Sequence, residues 1–210
     1  MGLFVSVGLY SDLLQNDAEG AGLLKRGFED LNAVLRKNGI EQHIEPEATF
    51  YLNNRSACKS FSYSYLHYLR RFYANIIETP DWRPMPVSDG VDPATDTVLE
   101  EQMMMFSSHL LCHSDCEGFY LPIKFNDILV GDKVPGGLLG SSYMLFKELI
   151  EIAPKLGIEL ENGELSDQEA QRINLINESN SSFYREYCVW IALYEAARLS
   201  IKHKSAISFC

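Results

Sequence analysis

The segment Leu3-Phe4-Val5-Ser6-Val7-Gly8-Leu9-Tyr10 sets the fold class. Leu3, Val5, Val7 and Leu9 recur with a period of two, as in a strand with one packed face. The next apolar set changes period. Leu23, Leu24, Phe28, Leu31, Val34 and Leu35 fall at helical spacing, predicting a helix from Glu19 to Lys37 that Asp17 can start and Asn38-Gly39 can stop. Strand then helix, repeated unevenly downstream, predicts an α+β fold: a single domain with a small mixed sheet packed by about five or six helices.

Moving outward, a short extended piece is expected over residues 42–47, followed by a helix over Tyr63–Ile77 carrying Leu66, Leu69, Phe72, Tyr73 and Ile76. Residues 79–97 hold Pro80, Pro84, Pro86, Gly90 and Pro93 among four aspartates and read as a long acidic loop. A helix is expected from Val98 to Cys112. A strand over Gly118–Phe125 follows, in which Pro122 argues for an edge or a bulge. Residues 131–142 are turn-rich. Leu145, Leu149, Ile152 and Leu156 predict a helix that tightens at Pro154 before Gly157. Ser166-Asp167-Gln168-Glu169 has the Ser-x-x-Glu spacing of a capping box, opening a helix to about Asn177. Asn180-Ser181-Ser182 is positioned to cap the longest helix, Phe183 to Lys204, and Ala206–Cys210 reads as a final strand.

The chain has 210 residues, 46% hydrophobic and 22% charged, with 29 acidic side chains against 18 basic ones. That composition excludes disorder, collagen and disulfide-stapled miniproteins. The net charge of −11 argues against binding nucleic acid directly, because phosphate affinity comes from Lys and Arg. The charge is segregated. Residues 78–101 carry Glu78, Asp81, Asp89, Asp92, Asp96, Glu100 and Glu101 against Arg83 alone, and residues 159–169 carry Glu159, Glu161, Glu164, Asp167 and Glu169 with no base. Everything else sums to zero. Residues 55–77 run the other way, with Arg55, Lys59, Arg70 and Arg71 and no acid. Five irregularly spaced cysteines fit reduced thiols in a cytoplasmic protein. The first residues lack the basic region of a signal peptide, and no apolar run has the length of a membrane span.

Several constellations bear on chemistry. His109, Cys112, His113 and Cys116 fall at i, i+3, i+4 and i+7, so a continuous helix would align them, with Asp115 and Glu117 adjacent. A metal held by His109, His113 and Cys116 is the sharp reading and helix-end packing the plain one, since one helix face normally supplies only two ligands. Gly136-Gly137-Leu138-Leu139-Gly140-Ser141-Ser142 could bind an anion at a helix start, but it lacks a P-loop lysine and reads more simply as a turn with a serine cap. Asp89, Asp92 and Asp96 lack the residue order of a calcium loop. Glu195 and Arg198 form a helical ion pair or a buried catalytic pair. Tyr65, Tyr68 and Arg71 are the types that anchor protein interfaces, while a core-facing aromatic stripe with a solvated arginine edge is the structural alternative.

The segments Ser108-His109-Leu110-Leu111-Cys112-His113-Ser114-Asp115-Cys116-Glu117-Gly118-Phe119-Tyr120, Val134-Pro135-Gly136-Gly137-Leu138-Leu139-Gly140-Ser141-Ser142 and Glu195-Ala196-Ala197-Arg198-Leu199-Ser200 resemble an uncharacterised bacterial family of acidic proteins of about this length. In size and charge the chain is also similar to toxin-immunity proteins. Neither resemblance transfers a catalytic residue.

The function expected is therefore a protein-binding module, immunity-like, that neutralises a basic partner such as a toxin through Asp89, Asp92, Asp96, Glu161 and Glu164 together with Tyr65, Tyr68 and Arg71. It would act as a monomer or homodimer, without cofactor, nucleic acid or membrane. The alternative is a small enzyme, metal-assisted, with its site at residues 109–117.

Overall fold

The computed structural model describes residues 2–177 and 181–210. Its elements in chain order are β1 (Gly2–Val7), α1 (Leu9–Asn16), α2 (Ala18–Lys37), β2 (Ser60–Ser62), α3 (Tyr63–Glu78), α4 (Thr97–Met104), β3 (Gly118–Leu121), β4 (Leu129–Val130), β5 (Leu138–Ser141), α5 (Ser142–Ile152), β6 (Leu160–Glu161), β7 (Glu164–Leu165), α6 (Asp167–Asn177), α7 (Tyr184–His203) and β8 (Ile207–Phe209). Short 3-10 turns span Pro93–Thr95 and Ala153–Leu156.

Six strands form one mixed sheet in the order β2-β1-β8-β3-β5-β4, and β6 pairs with β7 in a separate hairpin. Only β3 and β5 run parallel; the other pairs are antiparallel. Side chains alternate between two cores. Phe119 and Leu121 join Phe28, Leu31 and Leu35 of α2 on one face, whereas Tyr120 and Phe209 join α3, α5 and α7 on the other. The α+β class and the mixed sheet expected from the pattern are what the chain forms, with the β6–β7 hairpin as a second, separate sheet.

Helix α7 is the centre of the larger core. Trp190, Ile191, Leu193, Tyr194 and Ala197 are fully buried, and Trp190 Nε1 donates to the Leu149 carbonyl 2.8 Å away. Burial on nearly every side, rather than on the single stripe expected, marks it as an interior helix. The Asn180 cap expected for it lies outside the described residues.

Elsewhere the differences have local causes. The first strand stops at Val7 because Gly8 turns to φ 77°, a left-handed conformation. Ser11 Oγ then donates to the Gly8 carbonyl, so Leu9 and Tyr10 begin a helix. No strand forms over residues 42–47. The helix expected from Val98 to Cys112 ends at Met104, where Phe106 adopts φ 53°. Strand β3 is central and fully buried, not an edge, and Pro122 sits just past its end. Within the expected turn region, residues 138–141 form β5. Gly140 lies opposite Tyr120, where an added Cβ would sit 2.2 Å from the tyrosine ring. Cys58 and Cys188 form a disulfide with Cα atoms 5.9 Å apart, against the reduced thiols expected, while Cys112, Cys116 and Cys210 are free. These cysteines are distant in sequence and meet only through the tertiary fold.

Candidate protein-binding surface

Two buried arginine and carboxylate clusters, around Arg70 and Glu195, are internally bonded. Arg70 is completely buried; its Nε donates to the Leu110 carbonyl at 2.8 Å, its Nη2 to the His113 carbonyl at 2.6 Å and its Nη1 to Asp115. It is thus a structural strut rather than the solvated arginine edge expected. Burial pushes the Asp115 carboxyl up, but His67 and Arg70 outweigh it and hold it at about 2. Glu148 accepts from the backbone N–H groups of His109 and Leu110 at 2.9 and 2.7 Å, and burial raises its carboxyl to about 7. These bonds pin the irregular chain that follows α4.

That irregular chain removes the ladder on which the metal reading rested. His109 lies between the Ser141 N–H, which donates to Nδ1 at 2.9 Å, and the Asn126 carbonyl, 3.0 Å from Nε2. His113 stacks on Tyr120 with centroids 4.1 Å apart, and burial pushes it down to about 4. Cys116 is exposed. Among the described residues no three His, Cys, Asp or Glu side chains converge as a metal set.

Glu195 is also a strut. Arg55 Nε and Arg198 Nε each donate to it at 3.0 Å, and burial, which raises its carboxyl, is overcome by these bonds. The two arginines line a pocket of about 480 Å³ with Phe146, Tyr194 and Lys202. The tyrosines expected to face a partner are engaged within the chain: the Arg185 guanidinium lies 4.6 Å from the Tyr68 and Tyr184 ring centroids and 5.6 Å from that of Tyr65. Arg71 pairs with Asp96 at 2.9 Å.

The acidic segments divide into struts and free charge. Asp96 caps α4, accepting from the N–H groups of Val98 and Leu99 at 3.0 and 3.2 Å, and Asp92 caps the 3-10 turn through the Ala94 N–H at 3.0 Å. Glu169 accepts from Arg172 and from the Glu159 N–H. By contrast Glu78, Asp81, Asp89, Glu100, Glu101, Glu159, Glu161 and Glu164 are exposed and form no ion pair among the described residues. Asp167 has only a 3.4 Å contact with Arg55 and is 89% exposed.

Folding also brings the two segments together, which their spacing in sequence conceals. Lys155 Nζ donates to the Pro80 and Trp82 carbonyls at 2.6 and 3.4 Å, so the start of the first segment lies against the turn leading to the second. At the other end, Gln102 Nε2 donates to Glu78 at 2.8 Å and draws α4 to the end of α3. The exposed carboxylates of α4, residues 78–81 and the β6–β7 hairpin, on elements joined through these two tethers, make up the acidic band. In that hairpin Glu161 stands directly opposite Glu164. Like charges in opposed strand positions destabilise the pair, so this charge is not there for the hairpin's own sake. Glu159, Glu161 and Glu169 also flank a depression of about 650 Å³ at the foot of α6.

A protein-family model matches residues 1–209. No curated protein and no solved structure matches the chain. The family match corrects the expected partner: a family described by DNA mimicry points to proteins that hold DNA, not to a basic toxin inferred from charge alone. Matched over residues 1–209, the chain belongs to the family described as "Putative DNA-mimic protein".

Proposed function

We propose that the acidic band is a surrogate for the phosphate backbone and that the protein occupies the DNA-binding face of a DNA-binding protein, inhibiting it. Family membership over residues 1–209 is the observation that carries this reading. The band supports it physically. A duplex presents about one negative charge per 1.7 Å of axis, and its partners bind largely through Lys and Arg that displace counterions. Carboxylates that are exposed, unpaired and anchored on α4, α3 and a hairpin offer such a partner the same opportunity without needing to be ordered on binding. Glu161 opposite Glu164 is the clearest case, because a partner's cation between them relieves a repulsion built into the free protein.

Displacement tests the proposal. Proteins from a cell extract are bound to DNA-cellulose and challenged with the purified chain or with a variant in which Glu159, Glu161, Glu164 and Asp167 are changed to their amides. The wild type should release a defined protein at low salt, with release falling steeply as salt rises, and the variant should need roughly tenfold more. No release by the wild type, or equal release by both, contradicts it.

A further inference from the structure

Beside the acidic band, α4 ends in the run Met103-Met104-Met105-Phe106. Its outer side chains are not used by the fold: Met104 is 83% exposed, Met105 70% and Phe106 44%. Of these, Met104 and Met105 line, with Ile77, an open groove of about 650 Å³ whose polar lining includes Glu78, Glu101 and Gln102. The display is held in place. Leu99 is the buried anchor of α4, Asp96 ties its start to Arg71, and Gln102 ties its last turn to Glu78. Past it, Phe106 is kept at φ 53°, a conformation that non-glycine residues rarely adopt and that persists where the surroundings enforce it.

We infer that this methionine groove is a second element of the same docking surface, taking an apolar side chain of the partner that is flanked by Lys or Arg. The inference rests on the DNA-mimic reading for the partner's positive charge. Charge complementarity selects the occupant: the carboxylates of Glu78 and Glu101 border the groove and form no ion pair among the described residues, so an apolar anchor with neighbouring cations satisfies both. A second copy of this chain fits less well, because a two-fold contact would set this acidic rim against itself. Methionine suits such a groove, since its unbranched, polarizable side chain repacks around differing apolar shapes. DNA offers a protein no equivalent aliphatic pocket beside its phosphates. The mimic would therefore gain affinity that persists in salt concentrations that weaken the phosphate-like contacts.

Two synthetic peptides of equal positive charge, one of alternating Lys and Gly and one with a single central Leu replacing Gly, are titrated into the full chain at low and high salt while methionine methyl resonances are followed. The Leu peptide should bind roughly tenfold tighter, with shifts centred on Met104 and Met105. The double variant M104S/M105S, both positions exposed and so compatible with an intact fold, should erase that advantage and leave the Lys-Gly peptide's affinity unchanged. Equal affinity of the two peptides, an advantage that survives in M104S/M105S, or a wild-type dimer that the double variant abolishes in sedimentation would overturn the inference. Failure of the wild type to displace anything from DNA-cellulose counts against DNA mimicry and leaves the groove's peptide preference standing. Displacement with no Leu advantage counts against the groove alone.

Discussion

The cluster around Arg70 and the acidic band from α4 to the β6–β7 hairpin use charge in opposite ways. Arg70, Asp115, His113 and Glu148 are bonded to one another or to backbone groups, and the ionisation of Asp115, His113 and Glu148 is shifted by burial and by these partners. The carboxylates of Glu78, Glu101, Glu161 and Glu164 are exposed and unpaired by any base among the described residues. The first arrangement fixes an irregular stretch of chain; the second is left over after folding. Charge that the fold does not consume is where binding should be sought, and the two regions should separate cleanly under mutation.

The largest loss of stability is expected for Arg70→Ala. It strands the Leu110 and His113 carbonyls and removes a cation from Asp115, so unfolding in urea should show a loss of ~3–5 kcal/mol. A loss below about 1 kcal/mol would mean that the cluster is not the strut described.

Glu186 gives an effect that depends on pH. Its Oε2 is buried without a partner, and burial raises its carboxyl to about 7. The folded state therefore retains a proton that the unfolded chain, near the model-peptide value, gives up earlier. Stability contributed by this group is lost as pH rises from about 4.5 to about 7. Glu186→Gln should be stabilised by ~1–3 kcal/mol relative to wild type at pH 8 and little changed at pH 4. His113 has the opposite sign: held down to about 4, it adds stability as pH rises from about 4 to about 6.5. Denaturant midpoints measured across that range for Glu186→Gln should thus climb with pH more steeply than those of the wild type.

Asp96→Ala is intermediate, removing the α4 cap and the Arg71 pair for ~1–2 kcal/mol in thermal unfolding. The smallest effect on stability, within about 0.5 kcal/mol, is expected for the amide variant of Glu159, Glu161, Glu164 and Asp167, and it should be slightly favourable because Glu161 and Glu164 repel each other. The same variant should have the greatest effect on partner binding. A strong loss of stability there would blur the distinction between strut and free charge.

Much of this arrangement was legible in the sequence, and the misses have physical reasons. Period-two and helical spacing located β1, α2, α3 and α5, because those elements bury one face, and α7, which is buried on nearly every side. The acidic segments themselves were visible, and Glu161 and Glu164 stand exposed as expected. Their union into one band was not, since it depends on Lys155 reaching the Pro80 carbonyl. Asp92 and Asp96 looked like their acidic neighbours but serve as helix caps, which the Asp92-Pro93 and Asp96-Thr97 positions at element starts could have suggested. His109 and His113 mimicked a ligand ladder because residues 98–112 carry no strong helix breaker; the chain leaves the helix after Met104, and Glu148, from a distant segment, then captures the His109 and Leu110 amides. The Tyr65 and Tyr68 rings gave no sign that Arg185 would cover them.

The most direct measurement is a competition. The protein released from DNA-cellulose is bound to a fluorescent duplex and titrated with the wild-type chain while anisotropy is read. The account predicts that anisotropy falls to that of free duplex and that the concentration of chain required rises in proportion to the duplex present, as for two ligands of one face. Persistence of a complex containing duplex, partner and chain together would contradict it.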